Sequence, residues 1–424
     1  MKSGLKMARR FLGAALLLGL AAWSALNLAS LLQPLPPDPY VSLQRKLRFF
    51  PWDGDAWFSL GHILSRDLQR TSPPAARRCF ETAVSLNPWD YRYWLELARL
   101  EEAAGDQGRA SECMETALFL NRAYTPLYWQ AGNFFLKHGQ AARATRCFHQ
   151  TLRGDPGLLR QVLALSWRFY PDRAKLIQEL VPPEPGLISG AMYWCLERRE
   201  TELAMDCWRR LRAGGKPFEL SAAYPLVDHL IGLGRFAEAH RVWREALAAT
   251  LGLEFRAFRD DVFDGGFELP LSNGGFGWRA AGSPQREFTE CPAPRFRGLR
   301  SLRIDFDGTE NLAGPFLRQS IWLEKPGTYW LEYAILTENL TSDQGVYWRI
   351  DSVAAGPPRI ELARGPKHLE EGDWRLVSVP FEVPAAGTLI ELTCQRDRSR
   401  KIDPYLGGRL WLDSISLRRE GLTR

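Results

Sequence analysis

The chain has 424 residues, 45% of them apolar, enough for two or three domains that each bury a core. A net charge of +6, spread without a dense basic block, excludes nucleic acid as an expected partner. Its 16 Trp and 22 Phe are many for this length, so aromatic side chains must fill cores, interfaces or a binding face.

Lys2, Lys6, Arg9 and Arg10 form a basic tail over residues 1–10, ahead of an uncharged apolar run over 11–32. At ~1.5 Å per residue that run matches a hydrocarbon core of ~30 Å and predicts a transmembrane helix. The basic tail belongs in the cytoplasm, which puts the bulk of the chain outside the inner membrane, in the periplasm of a Gram-negative cell. A cleaved signal peptide competes with a permanent anchor, since Ala22-Trp23-Ser24 is a passable small-x-small site. Apolarity continues past that site for a further turn or two, which favours the anchor. No Cys follows the run closely, so lipoprotein processing is not expected.

Residues 33–252 open on a Pro-rich linker and then repeat themselves. Trp57, Leu60 and Gly61, with Ala76, Phe80, Ala83 and Pro88, make one unit. Trp94, Leu97, Ala98, Ala110, Met114 and Ala117 keep its spacing, as do Tyr128, Gly132, Ala144, Phe148 and Pro156. The second and third units are offset by 34 residues and the first and second by 37, the surplus lying around Thr71-Ser72-Pro73. Small residues at fixed slots let two helices approach, large ones fill the gaps, and Pro ends the second helix. These units resemble the tetratricopeptide repeat, which implies an α-solenoid of antiparallel helix pairs. Weaker units carry Ala204/Trp208 and Ala239/Trp243 in the same slots, and Pro182-Pro183-Glu184-Pro185 predicts an interruption of the stacking.

Cys79, Cys113 and Cys147 follow the repeat period, and Cys207 fills the same slot. Equivalent residues on stacked helices stand ~8–10 Å apart, too far for a disulfide or a shared ion, so these thiols read as small buried hydrophobes. Cys195, Cys291 and Cys394 show no metal-ligand spacing. The repeat resemblance implies a protein partner in a groove lined by first helices, with Tyr91, Arg92, Glu96, Gln130 and Asn133 as exposed candidates. A Lys/Asn clamp for a C-terminal carboxylate is not expected, because Phe58 and His62 hold those slots.

From about residue 258 the period changes to two, in short alternating runs separated by Gly and Pro, and residues 262–420 predict an antiparallel β-sandwich. The order of small motifs, Phe263-Asp264-Gly265-Gly266-Phe267-Glu268, then Gly277-Trp278, Pro326-Gly327-Thr328-Tyr329-Trp330 and a closing Leu410-Trp411-Leu412-Asp413, resembles the galactose-binding-like jelly roll of carbohydrate-binding modules. The whole is thus a multidomain α plus β chain. The resemblance implies a glycan ligand, and a structural calcium held by Glu268 and Asp413 with backbone carbonyls near residues 296–301. Two carboxylates are too few alone for an ion that takes roughly six to eight oxygens. The alternative has Asp413 accepting backbone N–H bonds where the module's ends meet, and both readings stand.

Alternation places Tyr329, Leu331 and Tyr333 on the core side of one strand and Trp330 on the other. It places Val346, Trp348 and Ile350 inward on the next, leaving Tyr347, Arg349 and Asp351 outside. Trp330, Tyr347 and Arg349 are therefore the expected glycan-binding residues on one outward face, while Trp374 and Trp411 are expected in the core. The final strand carries Asp413 in the same register as Trp411, Ile415 and Leu417.

No phosphate loop, HExxH or G-x-S-x-G occurs, and the six His are scattered, so catalysis is not expected. The rival is a glycan-processing hydrolase or lyase, which needs two carboxylates in one cleft of the sandwich. A third reading is a purely structural scaffold. The expectation is a membrane-anchored adaptor that binds a protein through its repeats and glycan through its sandwich, in assembly or export of an exopolysaccharide or O-antigen.

Overall fold

A computed structural model of the chain describes residues 19–24, 38–252, 262–353, 359–402 and 404–421. No helix among the described residues is long and apolar enough to cross a membrane. The span predicted over 11–32 lies outside the described residues except for 19–24, which are helical. The chain divides into two compact units, Met1–Asp155 and Pro156–Arg424.

In the first unit a leading helix, α1 (Pro39–Phe49), is followed by three helix hairpins: α2 (Gly54–Arg66) with α3 (Pro73–Leu86), α4 (Tyr91–Ala104) with α5 (Gln107–Leu120), and α6 (Thr125–Lys137) with α7 (Ala141–Gly154). Asp caps start several of them, Asp38, Asp53, Asp90 and Asp106 each accepting a backbone N–H of the first turn. The small slots matter physically. A Cβ on Gly61 would stand 2.7 Å from the Phe80 ring, and one on Gly132 would stand 2.6 Å from Phe148. In the middle hairpin that slot is Ala98, and the facing residue is the flexible Met114 in place of a ring. The indoles that open two of the hairpins lock the preceding turn, Trp57 Nε1 donating to Pro51 O at 2.8 Å and Trp94 Nε1 to Pro88 O at 2.9 Å.

The second unit begins with α8 (Leu159–Ser166) and α9 (Arg173–Leu180), short helices ahead of the Pro-rich break. Pro185 then opens α10 (Pro185–Glu197), where its missing N–H costs nothing. That helix pairs with α11 (Thr201–Ala213), and α12 (Tyr224–Gly232) pairs with α13 (Phe236–Thr250). Among the described residues ten strands follow, β1 (Arg279–Ala280), β2 (Arg286–Cys291), β3 (Ser301–Asp307), β4 (Gly314–Leu323), β5 (Gly327–Glu338), β6 (Val346–Val353), β7 (Ile360–Arg364), β8 (Arg375–Val383), β9 (Thr388–Arg396) and β10 (Gly407–Arg419). They form two five-stranded antiparallel sheets, ordered β1-β4-β9-β6-β7 and β2-β3-β10-β5-β8. Trp278, Phe306, Phe316, Tyr333 and Trp348 fill the core between them.

Two core assignments change. The register of β10 against β5 shifts between Asp413 and Ser416, with Ser414 at φ +54°. This bulge reverses the phase, so the core takes Leu410 and Leu412 before it and Ile415 and Leu417 after it. Trp411 and Asp413 therefore lie on the side opposite Leu410 and Leu412, although both are closed to solvent. Trp374 is half-buried against Phe296, with ring centroids 6.0 Å apart, and stays out of the core.

The last helix pair packs directly on the sandwich. Trp243 of α13 meets Phe263 edge-on at 5.2 Å, and Phe236 approaches Trp322 of β4 at 6.0 Å. Asp228 of α12 accepts the Gly275 N–H at 3.0 Å and ion-pairs with Arg279. Gly275 sits at φ +57°, and a Cβ there would stand 2.6 Å from Trp243.

Candidate functional site

The three predicted glycan-binding residues do not share a face. Trp330 is on β5 of the second sheet, whereas Tyr347 and Arg349 are on β6 of the first, all three turned away from the core between the sheets. They thus lie on opposite outer faces of the sandwich. Alternation along a strand tells inward from outward, but not which sheet a strand joins. Trp330 is half-buried beneath Arg418, whose guanidinium lies 5.5 Å from its ring centre. Tyr347 is only 1% exposed. Its ring is covered by Arg364 at 5.0 Å and Lys367 at 5.8 Å, and its hydroxyl donates to Asp397 Oδ1 at 2.7 Å while accepting from Gln395 Nε2 at 2.7 Å.

The outer face of the first sheet is a layered polar surface. Strand register puts Arg318, Thr393, Arg349 and Arg364 in one row across β4, β9, β6 and β7. The adjacent row holds Ser320, Glu391, Asp351 and Glu361. Asp351 and Glu391, buried and directly opposite each other, would repel without counter-charges. Arg349 Nε donates to Asp351 Oδ2 at 2.8 Å, and Arg359 pairs with Glu391. Thr393 Oγ1 is buried with no hydrogen-bond partner. Sequence reading placed Tyr347, Arg349 and Asp351 on this face but missed Glu391 and Thr393 of β9, because polar alternation looks the same on a plain solvated face.

Glu268 and Asp413 do meet, around the loop preceding β3. Asp413 Oδ2 accepts the N–H groups of Phe296 at 2.7 Å and Arg297 at 3.0 Å, while Oδ1 accepts the Ser414 hydroxyl at 3.2 Å. Glu268 Oε1 accepts the Leu299 N–H at 2.8 Å. Burial pushes the Asp413 carboxyl upward, against these donors. Backbone N–H groups thus point at one oxygen of each carboxylate, Asp413 Oδ2 and Glu268 Oε1, and among the described residues no group of three or more His, Cys, Asp or Glu is placed to hold a metal. These bonds make both carboxylates hydrogen-bond anchors of the loop.

In the first unit the candidates on first helices form a ladder. Arg92 reaches Asp55 at 2.9 Å; Glu96 is buried between Arg66, at 3.2 Å, and Arg99; and Arg99 Nη2 donates to Gln130 Oε1 at 2.7 Å. Glu96 is thus not exposed as predicted, because the arginines on both sides cover it. Asn133 is turned to its own helix, donating to Trp129 O at 2.8 Å, and Tyr91 lies 5.9 Å from the Tyr124 ring.

The turns between units expose what the ladder does not. Trp52, Trp89 and Tyr124 precede α2, α4 and α6 and are 57%, 76% and 44% exposed. The recurrent Pro51-Trp52-Asp53 and Pro88-Trp89-Asp90, at the 37-residue offset, carried that signal in the sequence.

No family model matches the sequence, and no curated protein matches it. Similar solved structures include MamA, 14% identical over 51% of this chain and 88% of its own, with a TM-score of 0.26. YrrB, described as a tetratricopeptide repeat protein with an unusual peptide-binding site, is 10% identical over 51% of this chain and 96% of its own, at 0.26. Pseudomonas aeruginosa PilF is 15% identical over 49% and 97%, at 0.25. At these scores the likeness adds nothing to the helix pairs already described.

Proposed function

We propose that the chain is a non-catalytic adaptor whose first unit docks a protein partner. The carrying observation is the row of exposed aromatics Trp52, Trp89 and Tyr124 at equivalent turns of successive hairpins. Exposed Trp and Tyr in series are what interface hot spots use, since each buries a large rigid surface against a partner. The basic tail and apolar run over 1–32 support anchoring to the inner membrane with the remainder in the periplasm. A place in envelope polysaccharide assembly or export rests on architecture alone.

In-cell cross-linking of the full chain tests the docking row. Trp52→Ala with Trp89→Ala should remove most partner cross-links while leaving helical content unchanged, and undiminished cross-linking would sink the reading. A reporter fused after Arg424 should be active only outside the cytoplasm.

A second reading concerns the sandwich, with its galactose-binding-like identity as part of the proposal. The polar rows on the outer face of the first sheet, with the unpartnered Thr393 hydroxyl, suit a hydroxyl-rich ligand such as a glycan. Arg349→Ala should weaken glycan-array binding of the full chain at least tenfold; no binding by the native protein to any glycan ends this reading.

A further inference from the structure

The second helices of the three hairpins keep a period of 34 residues, which puts Arg78, Glu112 and Arg146 in one slot. The helix face through that slot holds Arg78, Glu81, Thr82 and Ser85 on α3, and Glu112, Glu115, Thr116 and Phe119 on α5. On α7 it holds Arg146, His149, Gln150 and Arg153, two arginines with no acid. A recurring ion pair ties neighbouring second helices, Arg109 to Glu81 at 2.7 Å and Arg143 to Glu115 at 3.1 Å. His149 takes the glutamate's slot on α7, so that helix offers no acid to continue the ladder. Arg146 and Arg153 are exposed, and among the described residues neither has an ion pair or hydrogen bond.

Both arginines border a cleft of about 390 Å³ formed by α5, α6 and α7. Leu118, Tyr128, Phe135 and Cys147 give it an apolar floor, with the Arg143 guanidinium 5.6 Å from the Phe135 ring centre. The lining sets three arginines against one acid, Glu115, which Arg143 already pairs. The cleft adjoins the end of the exposed aromatic row. Leu118 and Tyr128 flank the turn that carries Tyr124. Gly154, next to Arg153, packs so closely on the start of α6 that a Cβ there would stand 2.1 Å from Thr125 Oγ1.

The geometry points to a site for an acidic segment of the docked protein, with an apolar side chain on the floor and carboxylates on Arg146 and Arg153. This rests on the reading of the first unit as a docking surface and adds the chemistry of what docks there. Charge complementarity selects the acid, since a free guanidinium can hold a carboxylate through two parallel hydrogen bonds. The two arginines are ~10.5 Å apart along the helix, a distance that carboxylates spaced along one segment can span. The floor selects a peptide over a small inorganic anion, because phosphate would leave the half-buried Leu118 and Tyr128 in water.

Fluorescence polarisation of the full chain in detergent tests this, with a labelled glutamate-rich peptide containing two leucines and its glutamine-for-glutamate counterpart. The acidic peptide should bind, less tightly as salt rises, and the neutral one should not. Arg146→Gln with Arg153→Gln should weaken binding at least tenfold with helical content unchanged. Arg78→Gln, at the equivalent slot of α3, should change it less than twofold. No binding of the acidic peptide, equal binding by the double variant, or displacement by inorganic phosphate beyond that by chloride of equal ionic strength would each overturn the inference. Trp52→Ala with Trp89→Ala leaves the cleft intact, so it should keep the peptide's affinity while losing partner cross-links. Retained cross-links in that variant would end the docking reading; lost cross-links with a peptide indifferent to Arg146 and Arg153 would end only this one.

Discussion

Asp413 shows how one buried carboxylate can organise a loop 116 residues away in sequence. It is 0% exposed, and its bonds to Phe296 and Arg297 hold the approach to β3 against β10. Asp413→Ala would strand both N–H donors and should cost about 3 kcal/mol in urea unfolding, with Asp413→Asn, which keeps one acceptor, costing less. Calcium and chelator should give the same melting temperature; a rise of several degrees in calcium would make the pair cation ligands instead. His368 and Asp264 pull the pH dependence in opposite directions. Burial lowers His368, which is bonded to the Tyr333 hydroxyl at 2.9 Å, to about 4, so between there and ~6.5 the unfolded chain binds more protons. Its contribution, up to ~3 kcal/mol, is complete above pH ~6.5 and is lost as pH falls through 4. Burial raises Asp264 to about 6, so its contribution is present below pH ~3.9 and is lost as pH rises through 6. The two nearly cancel between pH 4 and 6. In His368→Gln that opposing share is gone, so from pH 4 to 6 the urea midpoint should gain less, or lose more, than in the native chain; an identical pH dependence in the two would mean His368 titrates normally.

At the level of elements, the repeat slots are physical constraints and can be tested as pairs. Gly132→Ala drives a Cβ to 2.6 Å from Phe148 and should destabilise the first unit by about 1–3 kcal/mol. Adding Phe148→Met should recover much of that, since the middle hairpin already combines Ala98 with Met114. A double-mutant cycle with no coupling would show that the slot is not read against its facing ring. Helix pairs were legible in the sequence because small and large residues recur at fixed spacing. The strands were legible because apolar and polar residues alternate between turns. What alternation could not reveal was a bulge, which turned Trp411 away from the core, or sheet membership, which split Trp330 from Tyr347 and Arg349. Both depend on pairing partners distant in sequence.

Across the second unit as a whole, the segment from Asn273 to Trp278 joins helices to sandwich. Asn273 Oδ1 accepts the Ala280 N–H at 2.9 Å and Trp278 Nε1 donates to Asp264 O at 2.9 Å, fixing the segment to the sandwich. Gly274 and Gly275 then let the backbone lie against Tyr224 and Trp243, where a Cβ would stand 2.4 Å and 2.6 Å from those rings. Such close contact of backbone on aromatic faces implies that α12, α13 and the sandwich unfold together. Trp243→Ala removes the ring that both sides share and should cost about 3–5 kcal/mol. Hydrogen exchange on the full chain checks the coupling. Protection should fall in α12–α13 and also in residues 273–281, whereas Asp228→Ala, at a half-exposed ion pair, should have a smaller effect on both. Loss of protection confined to the helices would mean that the sandwich is stable without them.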